Sequence, residues 1–495
     1  MSTHGKARVR TRPNILLLCT DQHRYDVIST HPGSAARTPN LQRLGDAGAV
    51  FDGCYAPSPV CAPTRASMLT GRYPSQHGLW SNGVTLPDRA SLVSRELADA
   101  GYRCGLVGKL HLAAAYQGTT EQRVADGFED FRWAHDPFHG SPENAYHRWL
   151  RERHPGLWER AVGDVVTPEV TNFTHADTAF DAMPTEAHYS TWVTEETEEF
   201  LRRTAADDRP FFLMANFFDP HHPFVAPQEY LERYPPGSVP PPVGGPAELD
   251  GKPDVQRDAS RSSYVGHGPS YPDFDEHGID AIRRTYHAMV SLVDDCVGRI
   301  LATLDAAGLT DDTLVIFTSD HGEMLGDHAL LLKGPMMYEP AIRVPMIVRW
   351  PGQVPQGTRV ADGFVGVHDV AATVRRAAGL AADGPGLDLV DVARGGTAPR
   401  DHALAQYRDA GYPYQPEVLT TMLRSGPYKI VVWHGAPATA RTRQGELYDL
   451  ATDPDELTNL WDAPGYAEVK ARLLAELADV QVSLEDRGAP RVHPW

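Results

Sequence analysis

The chain has 495 residues, of which 41% are hydrophobic and 22% are charged, and its formal net charge is −19. This length and composition are sufficient for a large buried core, while the acidic balance argues against a protein that binds nucleic acid or anionic membranes. The five cysteines are too few, and odd in number, for a disulfide framework in so long a chain.

The chain begins with a short basic segment, residues 1–12, which is followed by an apolar run over residues 15–19. That run is too short for the apolar part of a signal peptide. No stretch approaches the roughly 20 apolar residues that span a membrane. We therefore expect a cytoplasmic protein that has neither a membrane nor a nucleic acid as a partner.

Short apolar runs that end in polar residues recur along the first two thirds of the chain. Such runs are typical of strands buried on both faces, as in a parallel sheet covered by helices. The predicted strands are residues 14–21, 104–107, 210–218, 313–320 and 344–349. Apolar residues at helical spacing predict helices at residues 92–100, 195–203 and 282–307. Alternating strands and helices predict an α/β fold with a mostly parallel central sheet.

Polar side chains follow several of these predicted strands, namely Asp21, Lys109, His111, His221 and Asp320. In open α/β sheets, ligands bind beyond the carboxyl ends of the strands, so we expect these residues to lie together. Residues two apart in a strand point to the same face. Lys109 and His111 are therefore expected to face a bound ligand side by side.

The composition changes in two later segments. Residues 235–278 are rich in Pro, Gly, Ser and Asp, which predicts a surface excursion that acts as a lid or specificity loop, or else is disordered. Residues 382–399 are interpreted as a linker. Beyond the linker, predicted strands at 403–407, 420–424, 428–433 and 446–450 and a helix at 467–484 indicate a smaller α+β subdomain. We therefore predict a catalytic domain over residues 12–390 and a C-terminal subdomain over residues 400–495.

The most informative segment is Cys61-Ala62-Pro63-Thr64-Arg65. Pro63 suits the first turn of a helix, which places Cys61 at a helix N-terminus. Free amides and the helix dipole attract anions there and lower the pKa of a thiol, and Arg65 adds a positive charge one turn later. Taken alone, Cys61 would be interpreted as an inert buried cysteine. A cysteine phosphatase loop is a further alternative, but it requires arginine where this chain has Ser67.

This segment resembles the C-x-P-x-R signature of the type I sulfatases, which belong to the alkaline phosphatase superfamily. Further segments resemble that family in the same order along the chain: residues 108–112, 219–224, 318–323, 333–345 and 446–460. The resemblance implies an α/β sandwich of the alkaline phosphatase type. It also implies a sulfuric ester hydrolase that acts on a small-molecule or carbohydrate sulfate ester.

The resemblance further implies that a formylglycine-generating maturation enzyme oxidises Cys61 to formylglycine, whose hydrate attacks sulfur and later releases sulfate. One divalent cation assists. The implied metal ligands are Asp21, Gln22, the modified Cys61, Asp320 and His321. The implied catalytic residues are Arg65, Lys109 and Lys333 as cations, His221 or Lys333 as the proton donor to the leaving alcohol, and His111 as the base in sulfate release.

The chain departs from the commonest sulfatase pattern at two metal-site positions, where Gln22 replaces an aspartate and His321 replaces an asparagine. Calcium is our first choice of ion, with manganese or magnesium as alternatives. This variant also occurs in the branch of choline sulfatases and phosphonate monoester hydrolases, in which Asn82 resembles a residue that contacts substrate. Lys109 and His111 resemble sulfatase residues and favour sulfate over the alternative of a phosphonate monoester or phosphodiester. The intact set of site residues argues against a protein that only binds its ligand.

Overall fold

The computed structural model describes residues 12–88, 90–116, 118–159, 183–411, 413–434 and 444–485. Most of the basic N-terminal segment and the end of the predicted C-terminal subdomain lie outside these ranges. The helices in the described part are α1 (Pro39–Asp46), α2 (Cys61–Thr70), α3 (Pro74–His77), α4 (Val93–Asp99), α5 (Ala145–Arg153), α6 (Tyr189–Thr204), α7 (Gln228–Leu231), α8 (Asp254–Arg261), α9 (Glu276–Ala306), α10 (Glu339–Ile342), α11 (Asp369–Ala377), α12 (Leu389–Ala393) and α13 (Ala467–Ser483). None of these helices combines the length and the apolar character needed to cross a bilayer.

A large, mostly parallel sheet forms the centre of the molecule. Its strands are β1 (Asn14–Thr20), β2 (Ala49–Phe51), β4 (Arg103–Gly108), β5 (Asp130–Trp133), β6 (Phe211–Asn216), β7 (Thr313–Ser319), β8 (Met346–Arg349) and β9 (Thr358–Val360), and a small ladder pairs β3 (Cys54–Tyr55) with β10 (Val365–Gly366). The order across the large sheet is β5-β4-β6-β1-β7-β8-β2-β9. Only β8 runs antiparallel to its neighbours in the described sheet. The α/β fold class is confirmed.

Helices cover both faces of this sheet. Every residue of β1 and of β7 is buried, as expected for strands with two covered faces. Leu16 and Leu18 belong to a core cluster that includes residues of α6 and α9. Ile15 and Leu17 belong to a second cluster that includes residues of α2, α4 and α11. Alternate side chains of one strand thus enter two separate cores, which is the packing of an α/β sandwich.

Gly108 at the end of β4 allows two strands to meet closely. Its φ is +97°, and a Cβ atom there would lie 2.0 Å from the carbonyl oxygen of Asn216 in β6. Any larger residue would push β4 away from β6. The glycine therefore fixes the position of the chain that leaves β4 and enters the site described below.

A second, antiparallel sheet lies in the C-terminal part of the chain. It contains β11 (His402–Arg408), β12 (Leu419–Ser425), β13 (Tyr428–Trp433) and β14 (Gln444–Asp449) in sequence order, close to the predicted strands. Helix α13 packs on this sheet through Leu473 and Leu477. The buried Lys429 of β13 binds Glu339 and Glu456, with Nζ–Oε1 distances of 2.7 Å to each. This lysine thereby joins the C-terminal sheet to helix α10 beside the central sheet.

Two interpretations of composition need refinement. Most of residues 235–278 are exposed or half-buried, as expected for a surface excursion, but the alternative of disorder is wrong, because the segment contains α8, one face of which is buried. Gln256 of α8 donates to Glu446 and accepts a hydrogen bond from Tyr338. Residues 382–399 were interpreted as a linker but contain α12, most of whose side chains are buried. Burial of a few apolar residues at helical spacing outweighed the Pro and Gly content in both segments.

Candidate active site

The carboxyl ends of four adjacent strands bring together the polar residues predicted to form the site. Asp21 follows β1, Lys109 follows β4, His221 lies beyond β6 and Asp320 follows β7. Cys61 is the first residue of α2, and all ten residues of that helix are buried. The predicted helix start at Cys61 is confirmed. The thiol therefore faces the strand ends from the first turn of a helix.

The backbone turns sharply where two of these strands end. Gln22 and His111 have φ values of +70° and +62°, which are uncommon for residues other than glycine. Because β4 ends at Gly108, Lys109 and His111 lie beyond the strand. The expectation that they share a face by strand alternation is therefore wrong. Residues with strained backbone are often found at functional sites, in agreement with the placement of these two.

Four side chains form a cluster that could hold a metal ion: Asp21, Cys61, Asp320 and His321. One ligand atom from each lies within 4.8 Å of the others, and all four residues are buried. The Nε2 atom of His321 lies 3.1 Å from Cys61 Sγ and 3.7 Å from the Oδ1 atoms of Asp21 and Asp320. Oxygen and imidazole ligands at this spacing suit a divalent cation.

The surrounding hydrogen bonds direct one ligand atom of His321 and one of Asp21 toward the centre of this cluster. The Nδ1 atom of His321 lies 2.9 Å from the carbonyl oxygen of Gly322, to which only a protonated Nδ1 can donate. In the neutral ring, which is the form that binds a metal, Nε2 then carries the lone pair. Lys109 Nζ binds Asp21 through Oδ2 at 2.7 Å, which leaves Oδ1 toward the thiol. The donor set therefore fits a divalent cation.

Arg65 binds both carboxylates of the cluster from the second turn of α2. Its Nε donates to Asp320 Oδ2 at 2.8 Å and its Nη2 to Asp21 Oδ2 at 3.3 Å. A third donor, Nη1, binds the carbonyl oxygen of Lys109 at 3.0 Å. These bonds use all three nitrogens of the guanidinium. Arg65 is therefore placed to orient the carboxylates.

The cations around Cys61 change its acidity. Burial and the Asp21 carboxylate raise the pKa of the thiol, but Lys109, Lys333 and His321 outweigh them and lower it to about 7. Burial also raises the pKa of Asp21, and Lys109 is the first of the cations that lower it well below its usual range. The site thus stabilises negative charge at position 61.

Lys333 uses all three of its N–H donors within the site. Its Nζ lies 2.8 Å from Gln22 Oε1, 3.1 Å from Cys61 Sγ and 2.8 Å from His221 Nε2. The Nδ1 atom of His221 faces the carbonyl oxygen of His222 and must donate to it. His221 Nε2 is then an acceptor, and burial, His222 and Lys333 lower the pKa of this histidine well below its usual range. In this arrangement Lys333 holds the transferable proton.

The structure turns the side chain of Gln22 toward Lys333. Besides accepting from Lys333, its amide donates to His222 Nδ1 at 3.2 Å and to the Glu323 carboxylate. Its backbone N–H donates to Asp320 at 3.0 Å. That Gln22 ligates a metal stays a prediction, which requires Oε1 to give up the bond to Lys333.

Asn82 binds the start of the helix that carries Cys61. Its Oδ1 atom accepts a hydrogen bond from the backbone N–H of Ala62 at 3.1 Å. Its own N–H donates to the carbonyl oxygen of Ala410, in the loop after β11. Asn82 thereby connects the loop after β11 of the C-terminal sheet to the helix that carries Cys61. That Asn82 contacts a substrate stays a prediction.

Comparison with known proteins agrees with this geometry. The family model described as Sulfatase matches residues 13–380. The chain belongs to the sulfatase family. A second model, described as N-sulphoglucosamine sulphohydrolase, C-terminal, matches residues 326–483 of this sulfatase.

Relatives of this sulfatase match it over nearly the whole chain. An uncharacterized sulfatase of Escherichia coli (strain K12) is 30% identical, and the match covers 96% of the chain and 88% of that relative. A choline-sulfatase of Rhizobium meliloti (strain 1021) is 29% identical, with 92% and 83% covered. The crystal structure of a phosphonate monoester hydrolase of Agrobacterium radiobacter superposes with a TM-score of 0.80 at 26% identity and covers 96% of this chain and 97% of that one. The predicted sulfatase family, within the alkaline phosphatase superfamily, is confirmed.

Two buried carboxylates that support the sulfatase site were missed from the sequence. Glu121 accepts hydrogen bonds from the backbone N–H groups of His111, Leu112 and Ala113 and from the Trp133 indole. Glu323 accepts from the N–H groups of Leu325 and Leu332. They hold the backbone that carries His111 and Lys333. Glu323 lies three residues after Asp320, a spacing that could have suggested its role, whereas the loop of Glu121 gives no such signal.

Proposed function

We propose that this sulfatase hydrolyses the sulfate monoester of a carbohydrate or small alcohol, with a formylglycine made from Cys61 and one divalent cation. The observation that carries the proposal is the position of Cys61 at the start of α2, in contact with both His321 and Lys333. That arrangement combines a nucleophile position, a metal-binding cluster and cations for sulfate oxygens.

The nucleophile requires a maturation enzyme that oxidises the Cys61 thiol to an aldehyde. Formylglycine, when formed, would supply a hydrated aldehyde with one hydroxyl to attack sulfur and a second to release sulfate. In the unmodified chain, the Cys61 sulfur atom stands where those hydroxyls would be. Lys333 and His321 would then contact oxygen rather than sulfur.

Asp21, Asp320 and His321 would hold the cation, together with residue 61 and with Gln22 if its side chain turns inward. When bound, the cation would favour the ionised hydroxyl of residue 61 and withdraw charge from the sulfate oxygens. Calcium is our first choice because most of the ligand atoms would be oxygens, two of them from carboxylates. The imidazole of His321 also suits manganese, and magnesium is a further alternative.

The remaining site residues act on charge and protons. Lys109 and Lys333 would bind the sulfate oxygens as negative charge develops in the transition state. Lys333, held by His221, would protonate the leaving alcohol oxygen. Burial, and then the positive charge of Lys109, lower the pKa of His111 well below its usual range. The ring is therefore neutral and able to accept a proton during sulfate release.

Hydrolysis of a phosphonate monoester or phosphodiester is the second candidate function. It is favoured by the superposition on a phosphonate monoester hydrolase. The choline-sulfatase relative and the sulfatase model favour sulfate. We retain sulfate as the primary substrate because Lys109 and His111 resemble sulfatase residues.

We also propose a cytoplasmic location, in which the five cysteines, all within the described residues, form no disulfide. The domain limits at residues 12–390 and 400–495 are likewise proposals. The α12 helix, which packs on the core of the central sheet, supports placing the boundary after residue 393 rather than before it.

Mass spectrometry of the tryptic peptide that contains residue 61 tests the nucleophile directly. The protein should be produced with and without a coexpressed formylglycine-generating enzyme. We expect the aldehyde mass, and sulfatase activity, to appear together in the coexpressed sample. Full activity in a sample whose residue 61 is entirely cysteine would contradict the proposal.

A further inference from the structure

His135 lies against His111 but belongs to no motif that the sequence revealed. It follows β5, which pairs in parallel with β4 so that Trp133 lies opposite Gly108. The carboxyl ends of the two strands are therefore neighbours. The rings of His111 and His135 meet edge to face, with centroids 4.6 Å apart and planes at 89°.

Each of these rings has a nitrogen without a protein partner. The Nδ1 atoms of His111 and His135 are both buried, and among the described residues neither has a hydrogen-bond partner. Buried polar atoms are almost always paired, and buried water commonly bonds to those that the protein leaves unpaired. Two such atoms on adjacent rings are suited to a bridging water.

The charges around His111 and His135 disfavour a proton that remains on either ring. The charged and titratable groups that act on the two rings, besides the rings themselves, are Lys109, Arg65, Asp21 and His139. Burial, followed by Lys109, lowers the pKa of both histidines. Asp21, the acid among these groups, is already paired with Lys109 and Arg65. A proton taken up by His111 therefore needs a way out.

The two residues differ in exposure. His111 is 5% exposed, whereas His135 is partly exposed. We propose that His135 is a positioning residue for His111 that relays to solvent the proton which His111 accepts during sulfate release. This inference rests on the proposed function, because it requires His111 to act as the base.

The relay moves one proton and no electrons. The N–H bond of protonated His111 breaks, and the bridging water gains that proton while giving one of its own to Nδ1 of His135. His135 then loses its other ring proton, from Nε2, to a buffer base in solvent. The water and both rings return to their neutral forms. Because the proton enters His111 at its other ring nitrogen and leaves from Nδ1, both rings end in their other tautomer, and proton exchange with water restores the starting tautomers before the next turnover.

The substitution His135→Phe tests the relay because it keeps a ring beside His111 and removes both nitrogens. With an aryl sulfate, we expect kcat to fall about tenfold or more, while kcat/KM stays unchanged because sulfur transfer precedes the relay. More sulfate should be retained on the residue 61 peptide in samples quenched at steady state. Imidazole in the buffer should restore kcat.

His147→Gln is the matched control, because His147 lies in the same region and bonds the Pro137 carbonyl. It should leave kcat unchanged. Nitrogen NMR of the full chain gives a readout that needs no turnover: the titration of the His111 ring should shift in His135→Phe but not in His147→Gln. If His135→Phe does not fold, His135→Gln replaces it, with the same expected changes in kcat and retained sulfate.

The outcomes separate the relay from the proposed function. Unchanged kcat and unchanged retained sulfate in the His135 variant would overturn the relay, as would equal losses in kcat and kcat/KM that imidazole does not restore. The His111→Ala variant tests the proposed function on its own. If His111→Ala retains sulfate while the His135 variant behaves as wild type, only the relay is wrong.

Discussion

Lys333 Nζ lies 2.8 Å from His221 Nε2, and the imidazole accepts this hydrogen bond. Because His221 has no proton on that nitrogen, we expect Lys333 to be the donor to the leaving alcohol. We expect Lys333→Met to lower kcat/KM about 100- to 10,000-fold for an alkyl sulfate. The loss should be smaller for nitrophenyl sulfate, whose leaving group needs little protonation.

His221→Gln is the companion variant, since a glutamine oxygen can still accept from Lys333. Its loss of activity should be smaller and should depend less on the leaving group. Steady-state kinetics with a series of aryl and alkyl sulfates measures both dependences. If Lys333→Met lowers kcat/KM equally for all leaving groups, this lysine binds sulfate oxygens but does not protonate the leaving alcohol.

Removal of the nucleophile should leave the fold intact. Cys61→Ala should abolish turnover, because no other described side chain can supply the hydrated aldehyde, while the free energy of unfolding changes by about 1 kcal/mol. Cys61→Ser should also be inactive unless the host has a serine-oxidising maturase. Cys296→Ala, a buried cysteine of α9, is the control and should remain active. Near-normal turnover by Cys61→Ala would refute the mechanism.

The metal content depends on the two carboxylates of the cluster. Elemental analysis of the purified protein should find about one divalent ion per chain. Asp320→Asn should lose the ion and most activity. It is preferable to Asp320→Ala, which leaves the buried Arg65 without this partner at a cost of about 3–5 kcal/mol. Asp219→Asn, a buried carboxylate bonded to Ser190, should keep its ion. Two ions per chain would instead indicate a two-metal mechanism.

Sulfate should be preferred over phosphonate. We expect kcat/KM for an aryl sulfate to exceed that for the matching phenyl phosphonate ester, because Lys109 can balance charge on the sulfate oxygens. In His111→Ala, attack can proceed without the base but release cannot. Mass spectrometry after mixing with substrate should show sulfate on the residue 61 peptide. A clear preference for the phosphonate, with no sulfate retained, would favour the second candidate function.

The hydrogen bonds of Glu121 should contribute measurably to stability. Glu121→Ala removes the acceptor for three backbone N–H groups and one indole, so we expect it to lower the free energy of unfolding by about 3 kcal/mol. Glu121→Gln keeps one acceptor and should cost less. Glu129→Ala, at an exposed carboxylate bound to Arg103 and Arg209, is the control and should cost about 0.5 kcal/mol. Urea unfolding measures all three, and equal losses would contradict the buried role of Glu121.

The sequence predicted those strands that consist of a continuous run of apolar residues. β1, β6 and β7 are six or seven residues long and entirely buried, so an apolar run identifies each of them. β2, β5 and β9 have three or four residues, and their pairing depends on strands that are distant in sequence. Their absence from the predicted strands also concealed His135, which follows β5.

The features of the site also divide into those that the sequence could predict and those that it could not. Cys61, Asp21, Asp320 and His321 could be predicted because a motif places each beside a strand end or a helix start. The direction of each hydrogen bond could not be predicted. That Lys333 donates to His221 depends on the His222 carbonyl that fixes the imidazole tautomer, and this geometry arises only in the folded loop.

The buried Lys429, which bonds Glu339 and Glu456, has a consequence for the unfolding of the protein. Glu339 belongs to α10 and lies six residues after Lys333 in the sequence. The Lys429 ammonium group of the C-terminal sheet therefore neutralises a carboxylate that is close in sequence to an active-site residue. Separation of the two sheets would leave an ammonium ion and two carboxylates to be rehydrated together. We therefore expect heat to unfold the molecule in one cooperative transition, so that calorimetric and van't Hoff enthalpies agree. A protease that removed the C-terminal sheet would then inactivate the enzyme without cutting any catalytic residue.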